Sequence, residues 1–173
     1  MEQVDAELAT QIQQEEQRIA AAIAARNRPR SSGSGSVRIP DDAPVDLTTV
    51  RGIVVNVAIA DQLEGLLAAM EAQGFPLGGG GYRSSASQIA LRRAHCGTSD
   101  YAIYEMPSYE CSPPTAPPGR SEHEKGLAID FSYQGQVIGS RSSAVYQALA
   151  SVAGDYGFYN LPSEPWHWST TGN

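Results

Sequence analysis

The sequence predicts an α+β fold with a single core, on three observations. Its 173 residues suffice for one well-packed domain but not for two with linkers. Three segments read as helices, and short β-branched stretches bounded by glycine, proline or serine lie among them. These elements never settle into a repeating strand-helix-strand order, and no internal repeat is present. A hydrophobic fraction of 41% with 18% charged residues is ordinary for a globular protein, and no run approaches the roughly 20 apolar residues of a membrane span.

Residues 2–27 are rich in Ala, Gln and Glu, and Val4, Leu8, Ile12, Ile19 and Ile23 recur at helical intervals. The stripe is thin, so residues 1–30 read as a coiled-coil-like helix with a possible partner segment, or as a solvated helix. Ser31 to Ser36 has flexible-linker composition, and a globular domain is expected over 37–173. Val50 to Ala60 is apolar and β-branched and reads as a strand. Residues 60–73 form a helix with Leu63, Leu66, Leu67 and Met70 on one face and a stop at Gly74.

Gly78 to Gly81 lacks the Lys-Ser or Lys-Thr of a phosphate loop, which leaves a strand end or a close approach of backbones, with Arg83 projecting at a turn. Ser85 and Gln88 have capping-box spacing for a helix running to His95, where an imidazole complements the helix dipole. Residues 97–120 hold five prolines and no period, as expected of a long ordered loop. Cys96 and Cys111 bracket most of it. A disulfide there would contribute about 3 kcal/mol in an oxidising compartment, although two cysteines alone are also compatible with reduced thiols. Leu127 to Tyr133 reads as a strand, Gln134-Gly135 as a turn and Gln136 to Ile138 as its hairpin partner. Ser142 is a candidate cap for a helix over 143–153 that Gly154 ends, with Val145, Leu149 and Val152 inward.

A net charge of −7 with Lys125 as the single lysine argues against nucleic acid, which is gripped through its phosphates. No basic segment followed by an apolar one marks a secretory signal at the N-terminus. Of three histidines, two sit in dense polar motifs, Ser121-Glu-His123 followed by Asp130, and Glu164-Pro-Trp-His167. Asp130 lies inside the apolar run Leu127 to Phe131, and a buried carboxylate must be paired or bound to metal. His123, Asp130 and His167 would fill three positions of a catalytic zinc shell. Glu164 would then serve as general base, on a bend or strand because Pro165 disfavours a helix. Trp166 and Trp168 read as core residues. Arg83 offers a bidentate fork for a terminal carboxylate.

Taken together, Gly81-Tyr-Arg-Ser84 with Gln88, Ser121-x-His123-x2-Gly126-x-Ala128-x-Asp130, and Glu164-x-Trp-His167 make the chain resemble the VanY-like zinc D-alanyl-D-alanine carboxypeptidases. The resemblance covers residues 81–167. It implies a small antiparallel sheet bearing the zinc site, zinc on His123, Asp130 and His167, and Glu164 as base. Arg83, Gln88 and Ser121 would hold a peptidoglycan stem peptide and its carboxylate. It further implies an exported, cell-wall-associated protein, of which this sequence would be an excerpt, and strengthens a Cys96–Cys111 disulfide. Two other readings stay open: an endopeptidase of the same chemistry, and a non-catalytic, zinc-stabilised module that binds cell wall.

Overall fold

The computed structural model describes residues 45–172. The helix expected over 1–30, the linker at 31–36 and the domain start at Val37 lie outside the described residues. Leu47–Val50 (β1) and Ile53–Asn56 (β2) form an antiparallel hairpin with Val50 opposite Ile53. The strand expected over 50–60 is the shorter β2, and the chain turns helical from Val57. Arg51 and Gly52 carry φ values of 46° and 90°, the left-handed pair that closes a tight two-residue hairpin loop. Asn56 ends β2 because its Oδ1 accepts from the Ala58 N–H at 2.9 Å and starts a short helical turn.

Helix α1 (Ala60–Ala72) buries Leu63, Leu66, Leu67 and Met70, and Gly74 stops it at φ 86°. Strand β3 (Leu77–Gly80) follows. Its glycines are needed for close approach: a Cβ at Gly79 would lie 2.5 Å from the Asp130 carbonyl oxygen, and one at Gly81 would collide with that of Val54. Helix α2 (Ser85–His95) is capped by Ser84, one residue earlier than the capping-box spacing suggests. Ser84 Oγ accepts from the Ser87 N–H at 3.2 Å, whereas the Gln88 side chain is drawn away to Arg83 and the Ala116 carbonyl.

The loop after α2 is ordered, as expected, but not irregular throughout. It contains a single π-helical turn at Tyr101–Glu105 and a 3-10 turn at Ser108–Glu110. Cys96 and Cys111 are disulfide-bonded, with Cα atoms 4.5 Å apart. Arg92, fully buried, donates to the carbonyls of Ile103 (3.0 Å), Met106 (2.7 Å) and Thr115 (2.6 Å). A side chain on α2 thus supplies the donors that a loop without regular structure lacks.

Strand β4 (Ala128–Tyr133) turns at Gln134-Gly135 into β5 (Gln136–Val137). Helix α3 (Ala144–Val152) takes Ser143, not Ser142, as its cap, because Ser143 Oγ both accepts from the Tyr146 N–H and donates to the Ser140 carbonyl. The chain coils on past Gly154 in a 3-10 turn, and Gly157 at φ 77° stops it. Strands β6 (Tyr159–Asn160) and β7 (His167–Ser169) complete a five-stranded antiparallel sheet ordered β3-β4-β7-β6, with β5 beside the end of β4.

Alternation along β4 divides the sheet into two faces. Ile129 and Phe131 join Trp168 of β7, α1, α3 and the β1–β2 hairpin in one core cluster. Asp130 points the other way, and there the chemistry collects. Among the described residues no helix is long and apolar enough to cross a membrane.

Candidate metal centre and active site

The register of β4 against β7 places Asp130 directly opposite His167. Cross-strand partners on one face have Cβ atoms about 5 Å apart, so two residues 37 apart in sequence meet by strand pairing alone. His123 arrives from the turn just before β4. Leu127 N–H donates to the Glu122 carbonyl and Gly126 N–H to that of His123, and Gly126 sits at φ 68°, where a Cβ would press on the Asn56 backbone at 2.7 Å.

The three side chains converge tightly. His123 Nε2 lies 3.1 Å from Asp130 Oδ1 and 3.1 Å from His167 Nδ1, and His167 Nδ1 lies 2.9 Å from Asp130 Oδ1. His123 Nδ1 is 2.6 Å from the Gly81 carbonyl oxygen, to which it can only donate, so in the neutral ring Nε2 carries the lone pair. Burial pushes the His123 pKa down more than the Asp130 charge raises it, which favours that neutral form. Burial would raise Asp130, but His123, His167 and Arg83 outweigh it and hold the carboxyl well below the usual range.

The neutral His123 ring turns the lone pair of Nε2 toward the ionised Asp130 oxygen, a juxtaposition that a cation between them would relieve. Donors on a tetrahedral zinc stand about 3.3 Å apart, close to these separations, and two imidazoles with one carboxylate suit that ion. Among the described residues this is the one group of three with metal-ligand geometry.

Glu164 sits on the loop between β6 and β7, half-buried and near enough to Asp130 and His167 to sense both. Burial, and then the Asp130 charge, push its pKa up, while His167, the Trp166 side chain and Arg83 oppose the shift. Trp166 therefore belongs to the site, and only Trp168 lies in the core. Arg83 Nη2 is 3.6 Å from Asp130 Oδ2 and Nη1 donates to Gln88 Oε1 at 3.2 Å. Its buried Nε has no hydrogen-bond partner among the described residues. Gln88 is 1% exposed and both ends of its amide are engaged, so it reaches the site through Arg83. Ser121 is buried in the turn that carries His123. His95 stays outside, its Nδ1 2.7 Å from Thr115 Oγ1 at the end of α2.

Two contributors escaped the sequence reading. The Gly81 carbonyl fixes the His123 ring, and backbone groups leave no side-chain signal. Glu124, buried beside His123, accepts from the N–H groups of Gly119 (2.8 Å) and Ser121 (3.4 Å) and so shapes the approach to the ligand turn.

The VanY family model, described as D-alanyl-D-alanine carboxypeptidase, matches residues 52–173. A D-alanyl-D-alanine carboxypeptidase of Enterococcus faecalis is 29% identical over 154 residues, which is 78% of this chain and 55% of that protein. The chain thus spans about half the length of that relative. Among solved structures, VanYB in complex with D-alanine-D-alanine superposes with a TM-score of 0.55 at 26% identity, covering 76% of this chain and 80% of that one. A vancomycin-resistance D,D-pentapeptidase VanY variant in complex with Zn(II) gives 0.54 at 26% identity, with 76% and 81% covered. The ordered motifs, the sheet that brings them together and a match over most of the sequence have one meaning: the chain belongs to the VanY family of D-alanyl-D-alanine carboxypeptidases.

Proposed function

We propose that this domain is a zinc peptidase that removes the terminal D-alanine from peptidoglycan stem peptides. The observation that carries the reading is Arg83: a guanidinium with a buried, unpartnered Nε stands beside a cluster of three metal-ligand donors. A cation so placed suits a substrate with a free carboxylate one residue from the bond to be cut. Zinc on His123, Asp130 and His167 supplies Lewis-acid polarisation and water activation. Glu164 takes the proton of the attacking water and returns it to the leaving amine, and its raised pKa suits both halves of that task. Gln88 holds Arg83, and Ser121 lies buried in the turn that carries His123.

The Cys96–Cys111 disulfide supports an exported protein working at the cell wall, since such bonds persist in oxidising compartments. The test is metal analysis of the purified protein, then mass spectrometry of a stem pentapeptide with and without chelator. Loss of one alanine, abolished by chelation, is expected. An uncut pentapeptide with cleavage of cross-linked dimers would replace the reading by endopeptidase activity.

A further inference from the structure

Glu164 lies in the short β6–β7 connection, in which Pro162 and Pro165 contribute no N–H, and His167 opens β7 directly after it. Three backbone bonds close it: Leu161 N–H to the His167 carbonyl (3.0 Å), Glu164 N–H to that of Leu161 (3.0 Å) and His167 N–H to that of Glu164 (3.2 Å). One side chain spans the same segment. Asn160 Nδ2 lies 2.8 Å from the Glu164 carbonyl oxygen, 2.8 Å from that of His167 and 3.4 Å from that of Pro165.

The other end of this amide is anchored to α3 and the segment before it. Asn160 Oδ1 accepts from Arg141 Nη2 at 2.7 Å and from Tyr146 Oη at 3.0 Å. Arg141 Nη2 also donates to the Leu161 carbonyl at 3.0 Å, and its guanidinium lies 5.6 Å from the Tyr146 ring centre. Tyr146 packs on Trp168, the residue after His167, with ring centres 5.8 Å apart. The half-buried amide therefore links Tyr146, which packs against the core, and the exposed Arg141 to the carbonyls of Glu164 and His167.

We propose that Asn160 is a positioning residue that sets the spacing between the general base and the second histidine ligand. It touches neither substrate nor metal. It acts by holding both carbonyls with one NH2 group, so that the Glu164 and His167 side chains leave the backbone at fixed angles. This rests on the proposed roles of those two residues.

Asn160→Asp is the discriminating variant: it keeps the size and the acceptor side toward Arg141 and Tyr146, and it removes both N–H donors. Zinc affinity is measured by competition with a chromophoric chelator, and kcat and KM on a stem pentapeptide are normalised to bound zinc. Outer partners of metal ligands commonly contribute about 10- to 100-fold, and losses of that size are expected in zinc affinity and in kcat, with KM little changed because Arg83 is untouched. Tyr146→Phe, which spares the donor side, should show a smaller loss in the same direction. A lowered melting temperature with unchanged zinc affinity and unchanged kcat per bound zinc would make Asn160 merely structural and overturn the proposal. Should Asn160→Asp not fold, Asn160→Ala removes the donors without adding charge and carries the same measurements. If the wild type left the pentapeptide intact, the carboxypeptidase reading would fail, whereas the zinc-affinity comparison would still decide the role of Asn160.

Discussion

Asp130 and Glu164 are carboxylates of one site driven in opposite directions. Asp130 is flanked by two imidazoles and a guanidinium and stays ionised, as a ligand must, while Glu164 is desolvated near that negative charge and holds its proton more tightly. Because the base works only as the carboxylate, kcat/KM should fall as pH drops through the Glu164 pKa, which burial raises. Glu164→Gln should retain zinc, lose about 10²- to 10⁴-fold in kcat and lose that acid limb. Near-normal turnover in the zinc-loaded variant would remove Glu164 from the mechanism. Arg83→Ala should instead lower kcat/KM by about 10- to 100-fold, carried mostly by KM, as expected for losing charged hydrogen bonds to a bound carboxylate. A purely kcat effect would place Arg83 on the reacting atoms. Asp130 was legible because a carboxylate stands out in an apolar run, Glu164 because it precedes His167 by three residues, and Arg83 because a zinc peptidase that trims a chain end needs a cation. Asn160 was not, since its partners are backbone carbonyls brought near only by the fold.

Helices α1 and α3 were legible from their apolar faces, and β4 from its alternation. The caps slipped by one residue at Ser84 and Ser143 because adjacent serines satisfy the same spacing, and tertiary bonds choose between them. The turn at Tyr101–Glu105 was invisible for a related reason, since much of its order comes from Arg92 on another element. That loop now has two fastenings, the disulfide and the buried guanidinium. Replacing Cys96 and Cys111 together by serine should reduce unfolding free energy by about 3 kcal/mol for a loop of 15 residues, read as a lower midpoint in chemical denaturation. The fold should survive, because the Arg92 bonds remain. An unchanged midpoint would mean that the disulfide adds nothing that Arg92 does not already supply.

For the molecule as a whole, the site lies where segments distant in sequence are joined, with His123 and His167 44 positions apart. Strand pairing aligns Asp130 with His167, but no strand holds His123, which depends on its turn, Gly81 and Arg83. An ion that grips all three therefore ties the turn to the sheet and binds the folded chain far better than the unfolded one. At a free zinc concentration of about 1,000 times Kd this linkage stabilises the fold by roughly 4 kcal/mol. For a domain of this size each kcal/mol moves the melting midpoint by about 2–4 °C, so chelation should lower it by on the order of 10 °C and added zinc should restore it. His123→Ala should have a lower midpoint and respond much less to zinc, while Glu164→Gln should respond as the wild type does. A midpoint indifferent to both chelator and zinc would show that the three donors do not bind zinc appreciably in the folded protein, and the hydrolytic reading would lose its centre.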